Sequence, residues 1–312
     1  MKNVHRFIGN EGTTFTNSFV TSPICCPSRA SFLSGLHVHN HMTWNNSVNG
    51  GCYSRTWRKL ETRTFATALK DSGYNTFYAG KYLNERDLSL NFIENQTESQ
   101  PFLMVLAPPA PHQPFTPAPR HKGVFGNVTA VRHPNFNIAV NDKHWLLSMP
   151  PAPLPAEMIP DLDRVYRSRW ESLLAVDEMV ADVVEALDSN SLLTNTYLIY
   201  TSDNGYHIGQ FSQVYDKRQP YETDIRVPLV IRGPKVQKNV TSDQPVLNID
   251  LAPTIMELAG LLAPKSLDGK PIKFDVQNED FERNMLVEYY GEGRDGTVDP
   301  SCPWKYDSDN LA

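Results

Sequence analysis

Three short apolar runs stand out along the chain: Phe102 to Ala107 (FLMVLA), Thr196 to Ser202 (TYLIYTS) and Val227 to Gly233 (VPLVIRG). None alternates apolar with polar residues, so each is expected as a buried strand rather than a half-exposed one. Between the first two, Tyr166, Trp170, Leu173, Val176, Val180, Val183 and Leu187 recur at helical spacing. That periodicity predicts a long amphipathic helix over residues 163–190. A second helix is expected in NIDLAPTIMELAG, stopped by Gly260. Two proline-rich stretches, one from Ala107 and one from Met149, read as surface loops, because proline fixes φ and lacks a backbone donor. Strands separated by helices imply an α/β chain with a mainly parallel sheet flanked by helices.

In such sheets ligands gather beyond the carboxyl ends of the strands. The first run delivers His112 there, and the second delivers Asp203, Asn204 and His207. Asp203 and Asn204 suit two roles equally from sequence: capping the next turn, or offering oxygens to a hard cation such as Ca²⁺.

With 312 residues, 40% of them hydrophobic and 21% charged, the chain can bury a core. A formal charge of -6 without a basic stripe argues against a nucleic-acid partner. No apolar stretch reaches the roughly 18 to 20 residues of a membrane span, and the first residues, MKNVHRFIGNEG, lack the apolar core of a signal peptide. Four N-x-S/T triplets, at Asn45, Asn95, Asn127 and Asn239, would accept glycans in a secretory compartment. The four cysteines, Cys25, Cys26, Cys52 and Cys302, leave three disulfide pairings open.

The densest chemistry lies in residues 22–41, SPICCPSRASFLSGLHVHNH. Cys25 with Arg29 four residues on could be a thiolate beside a cation, or a buried or bridged thiol without reactivity. The following PSRASFLSGL reads as a turn opening a helix whose N-terminus favours an anion, with Arg29 in its first turn. His37, His39 and His41 lack the spacing and partners of a specific metal site.

CCPSRASFLSG resembles the sulfatase signature C-x-P-S-R-x-x-x-L-T-G, with Ser34 in place of threonine. GYNTFYAGKYLNE, PHQPF, TSDNGYHIGQF and DKRQPYETDIRVPLVIRGP then follow in that family's order. The resemblance implies an alkaline-phosphatase/sulfatase-like fold, with a catalytic domain over residues 1–262 and the start of a C-terminal subdomain over 263–312. It implies a sulfuric ester hydrolase acting on sulfated glycosaminoglycans, removing 6-O-sulfate from N-acetylglucosamine units of heparan or keratan sulfate in the lysosome. Cys25 would be oxidised to formylglycine by the formylglycine-generating enzyme; its hydrate is a geminal diol, one oxygen attacking sulfur and the other later expelling sulfate. Arg29, Lys81 and Lys217 would hold the formylglycine and sulfate. His112 would contact sulfate or protonate the leaving alcohol, and His207 would lie near the substrate. Asp203 and Asn204 would be two Ca²⁺ ligands.

The sequence also departs from the family. Further metal-binding carboxylates are expected from a strand ahead of the signature, yet residues 1–24 hold no aspartate and one glutamate, Glu11. The join at Glu85-Arg86-Asp87 looks shortened, and DPSCPWKYDSDNLA ends where relatives continue. The expectation is therefore a chain lacking its first strand and inactive as it stands. Alternatives are an endosulfatase of heparan chains and a catalytically dead, glycan-binding or unstable fragment.

Overall fold

A computed structural model describes residues 1–47, 49–81, 86–274 and 282–291. Cys302, the segment from Asp299 onwards, Glu85 and the side chains of Arg86 and Asp87 lie outside the described residues. After a short N-terminal helical segment come β1 (Thr13–Phe15), β2 (Ser18–Phe19), α1 (Cys25–Ser34), α2 (Phe65–Asp71), β3 (Asn75–Gly80) and β4 (Phe102–Ala107). The long helix α3 (Ile159–Ser189) leads to β5 (Leu198–Thr201), β6 (His207–Ile208) and β7 (Tyr215–Asp216). Then follow β8 (Leu229–Arg232), β9 (Val240–Ser242), β10 (Val246–Leu247) and α4 (Leu251–Leu258).

The three apolar runs form β4, β5 and β8, but their surroundings differ from expectation. β8 is an inner strand of a four-stranded sheet ordered β5-β8-β1-β9, and it pairs antiparallel with both β1 and β5. Parallel pairing occurs between β1 and β9, β2 and β10, and β3 and β4. Leu229, Val230 and Ile231 of β8 are buried, whereas every residue of β4 and β5 is half-buried. Coverage explains the contrast. β8 has ladders on both sides, while among the described residues β4 pairs with β3 alone and β5 with β8 alone.

One helix ties these pieces together. Val183 and Leu187 of α3 form a core with Ile93 and Leu192, onto which Phe102, Met104 and Leu106 of β4 and Leu198 of β5 all pack. The expected apolar stripe is only partly the buried one: Val176, Val183 and Leu187 are buried, but Trp170 is exposed. Buried instead are two carboxylates, because backbone donors satisfy them. Asp177 accepts from the amides of Asn3 and Val4, both at 3.0 Å, and Glu171 accepts from that of Phe125 at 3.3 Å.

The N-terminal half of α3 builds a second core. Leu162 and Val165, both fully buried, pack with Phe115, Ile208, Val214 and Tyr215, so the loops that follow β4 and β5 share one apolar floor. Pro160 sits in the first turn of α3, where its missing N–H has no helical partner to lose. Gly260, at φ +76°, ends the segment after α4 as expected.

Leu162→Ala is expected to destabilise the fold by about 3 kcal/mol through lost burial and a residual cavity. Leu262→Ala, at a position 95% exposed, is expected to change stability by less than about 0.5 kcal/mol. Denaturant unfolding of the two variants measures both.

Candidate functional site

Helix α1 begins at Cys25, ahead of Pro27 rather than at it, because proline is tolerated in a first turn. Arg29 therefore falls at the start of the second turn, not in the first. From there its Nε donates to the Cys25 carbonyl at 3.1 Å and lies 3.5 Å from Asp203 Oδ2. The entry to α1 is fixed by side chains far away in sequence. Asn248 accepts from the amide and hydroxyl of Thr21, and its Nδ2 donates to the carbonyl and hydroxyl of Ser28, all within 3.0 Å. Cys26 is bridged to Cys52, which excludes two of the three pairings left open, and its amide donates to Asn46 Oδ1 at 2.9 Å. Among the described residues Cys25 has no disulfide partner and is a buried thiol.

Around that thiol the structure gathers groups from four segments. Lys81, just beyond β3, places Nζ 3.7 Å from Cys25 Sγ. His112, in the turn after β4, hydrogen-bonds to Cys25, and its Nδ1 donates to the Gln113 carbonyl at 2.8 Å. Lys217, following β7, is buried and close enough to act on Cys25 electrostatically. Burial pushes the thiol up, but Lys217, the His112 hydrogen bond and Lys81 together outweigh that push and the opposing charge of Asp203. The result is a thiol at about 6, against an ordinary value of 9.0.

His207 faces a different partner. Its Nδ1 lies 2.9 Å from Oδ1 of Asp224, a fully buried carboxylate that also accepts from the Gln219 amide and the Thr223 hydroxyl. Asp224 thus orients His207 and the approach to Lys217 together, a role that its sequence context, YETDIR, did not advertise. The turn between Asn204 and His207 depends on glycine: a Cβ on Gly205 would lie 2.1 Å from the Thr223 carbonyl oxygen. Of the three signature-proximal histidines, His41 Nε2 pairs with Ser31 Oγ at 2.9 Å and His39 Nδ1 with Glu288 at 2.8 Å, tying residues 282–291 to the segment after α1.

A hard cation suits part of this geometry. Asn204 Oδ1 is buried without a hydrogen-bond partner, an orphaned acceptor of the kind that a metal ion satisfies. Asp203 is beside it in sequence and carries the opposing charge felt by Cys25. Among the described residues no group of three or more His, Cys, Asp or Glu side chains is arranged to hold a metal, so these two oxygens are a partial ligand set.

Comparison with known proteins places this arrangement in context. The sulfatase family model matches residues 1–87 and 86–261. The N-acetylglucosamine-6-sulfatases of Capra hircus and Homo sapiens are each 40% identical over 97% of this chain. The chain spans 65% and 66% of their respective lengths. Those alignments run to 364 positions, more than the chain's 312 residues, so each relative carries residues without a counterpart here. The family match also divides at the Glu85-Arg86-Asp87 join. An extracellular sulfatase SULF-1 homolog of Drosophila melanogaster is 34% identical over 86% of the chain and 28% of its own length. In structure, a protein solved in complex with its substrate D-glucosamine-2-N,6-O-disulfate superposes with a TM-score of 0.74, at 24% identity, covering 93% of this chain and 78% of the other. That likeness concerns the fold.

In the thiol form, Cys25 is expected to ionise at about 6, and Lys217→Ala to raise that midpoint. Thiolate absorbance read against a Cys25→Ser control measures it. The folded value lies below the unfolded one, so the folded chain holds fewer protons between about 6 and 9.0, and stability should rise with pH across that window. Below about 6 the contribution is lost, and Cys25→Ser should flatten the slope.

Proposed function

The chain belongs to the sulfatase family, and on that premise we propose that it is built to hydrolyse a 6-O-sulfate ester on N-acetylglucosamine units of heparan or keratan sulfate. The observation that carries the reading is the convergence of Lys81, Lys217, His112 and Arg29 around Cys25 at the N-terminus of α1. A tetrahedral, monoanionic sulfate ester is served by such a set: cations fixed before substrate arrives can stabilise the charge that builds on the sulfate oxygens and the leaving oxygen. The N-acetylglucosamine-6-sulfatases at 40% identity supply the choice of sugar.

In this reading Cys25 is the position oxidised to formylglycine by the formylglycine-generating enzyme, which supplies a nucleophile able to release sulfate after attack. Lys81 and Arg29 hold that side chain and one face of the sulfate. Lys217 neutralises charge growing on the sulfate oxygens. His112, anchored through Nδ1, presents its other ring nitrogen and delivers a proton to the departing alcohol. His207, held by Asp224, borders the substrate. Asp203 and Asn204 are two of the Ca²⁺ oxygens; when bound, the ion contributes positive charge toward the sulfate. Asp203, which faces Arg29 at 3.5 Å, would then be shared between that guanidinium and the ion. Lysosomal residence and glycans at Asn45, Asn95, Asn127 and Asn239 complete the proposal; Asn95, Asn127 and Asn239 are exposed.

Expression through the secretory pathway of cells that make formylglycine tests this. The Cys25 peptide should carry an aldehyde by mass spectrometry while Cys26 does not, and the protein should release sulfate from N-acetylglucosamine 6-sulfate, against the expectation of inactivity drawn from its missing carboxylates. Cys25→Ala should abolish turnover, and Lys217→Ala and His112→Ala should each lower it about 100-fold, about 3 kcal/mol of transition-state stabilisation. Asn239→Gln should leave the rate unchanged. Detection of Cys25 solely as thiol or disulfide, or near-wild-type rates in all three site variants, would sink the assignment.

A further inference from the structure

Arg169 lies on α3, outside every motif that points to the site, yet it touches the segment that carries His112. Its Nη1 donates to the Pro111 carbonyl at 2.9 Å, one residue before His112. Its guanidinium carbon sits 3.8 Å from the centre of the Tyr206 ring and 6.0 Å from that of Phe115. Phe115 closes the same turn, its amide donating to the His112 carbonyl at 3.0 Å. Arg169 therefore contacts the residues at both ends of the turn, and Tyr206, from the loop after β5, braces its guanidinium.

The cost of placing a cation there makes the arrangement informative. Among the described residues no carboxylate pairs with Arg169, and burial pulls its guanidinium down to about 10, with Tyr206 opposing the shift. A desolvated charge without a counter-ion is unfavourable, and a ring face with one carbonyl returns only part of what water supplied. An apolar side chain of similar length would fill the space beside Phe115 and Tyr206 without that cost. What it would lack is the directed N–H bond to Pro111.

We propose that Arg169 is a positioning residue for the sulfatase reaction: through the Pro111 carbonyl it fixes the turn that aims His112 at Cys25. This rests on the reading of His112 as proton donor to the leaving alcohol. A donor that must meet the ester oxygen gains from a fixed turn, whereas a merely packed residue would leave its aim unchanged.

Arg169→Met keeps the aliphatic stem and removes the fork. On N-acetylglucosamine 6-sulfate, whose alkoxide needs a proton to leave, kcat should fall about ten- to thirty-fold, with KM within about twofold. On an activated aryl sulfate, whose phenolate leaves unprotonated, the loss should stay under about threefold. Arg169→Lys, retaining charge and hydrogen-bond donors but not the planar fork, should lose about three- to fivefold on the sugar substrate alone. Equal losses on both substrates, or none, would overturn the proposal. His112→Ala measured beside them separates the two readings: if it shows no dependence on leaving group, the proton-donor role fails by itself. Placement is then read without turnover, from the His112 ring resonance, assigned by its disappearance in His112→Ala. It should move in Arg169→Met, and less in Arg169→Lys, while that of His41 stays in place. An unmoved His112 resonance in the folded variants, or in Arg169→Lys alone should Arg169→Met not fold, would overturn the proposal whatever the kinetics show.

Discussion

Crowding positive charge around one buried sulfur is the constraint to which the rest of the structure answers. Lys217 and Lys81 cannot approach Cys25 without shedding water, and like charges held close repel. The charged groups reaching this thiol include one carboxylate, Asp203, which lies closer to balancing Arg29 than to neutralising the whole set. A lowered thiol is the visible consequence, and an affinity for a compact, anionic tetrahedral group is the chemical one. The proposed oxidation of Cys25 changes the nucleophile without altering that electrostatic frame.

Holding such a set against its own repulsion calls for rigid anchors, and these are bonds between segments distant in sequence. Asn248, just ahead of α4, joins Thr21 to Ser28 across the start of α1. Asp224 fixes His207 and the backbone of Gln219, two residues beyond Lys217. The Cys26–Cys52 bridge ties the start of α1 to the loop that follows it. Beneath them, Leu162, Val165 and Phe115 form a floor shared by the His112 and His207 loops. Asn248 and Asp224 are buried and hydrogen-bonded, so a side chain aimed at Cys25 has few ways to relax away from it.

Much of this was legible along the chain, for definite reasons. β4, β5 and β8 arise where apolar residues run without alternation, and α3 where they recur every three or four positions. His112, Asp203 and His207 could be placed because they follow strands, and Arg29 because a helix opens beside it. The half-exposure of β4 and β5 was not legible, since a strand's own residues do not say how many neighbours pair with it. Nor was the antiparallel setting of β8, which depends on where β1 and β5 lie rather than on VPLVIRG itself. The start of α1 was misplaced by the same logic: Pro27 suggested the opening of the helix, while the helix begins at Cys25, its Cys26 amide taken up by Asn46 Oδ1 and its Ser28 amide by the Ile24 carbonyl.

By itself the sequence determined the order of elements, the chemical identity of Cys25, Arg29, Lys81, His112 and Lys217, and membership of a family whose signature is local. Those are properties of residue type and short spacing, which survive without a fold. Tertiary structure alone decided which cations reach the thiol, that Cys26 rather than Cys25 is bridged to Cys52, and that Asn204 keeps a buried oxygen free. It also decided that Asp224, Asn248 and Arg169 matter, three residues with nothing unusual about them in the chain. The physical reason is common to all of these: Coulomb attraction, hydrogen bonding and burial depend on distances in space, and spans of 17 to more than 200 residues separate the partners.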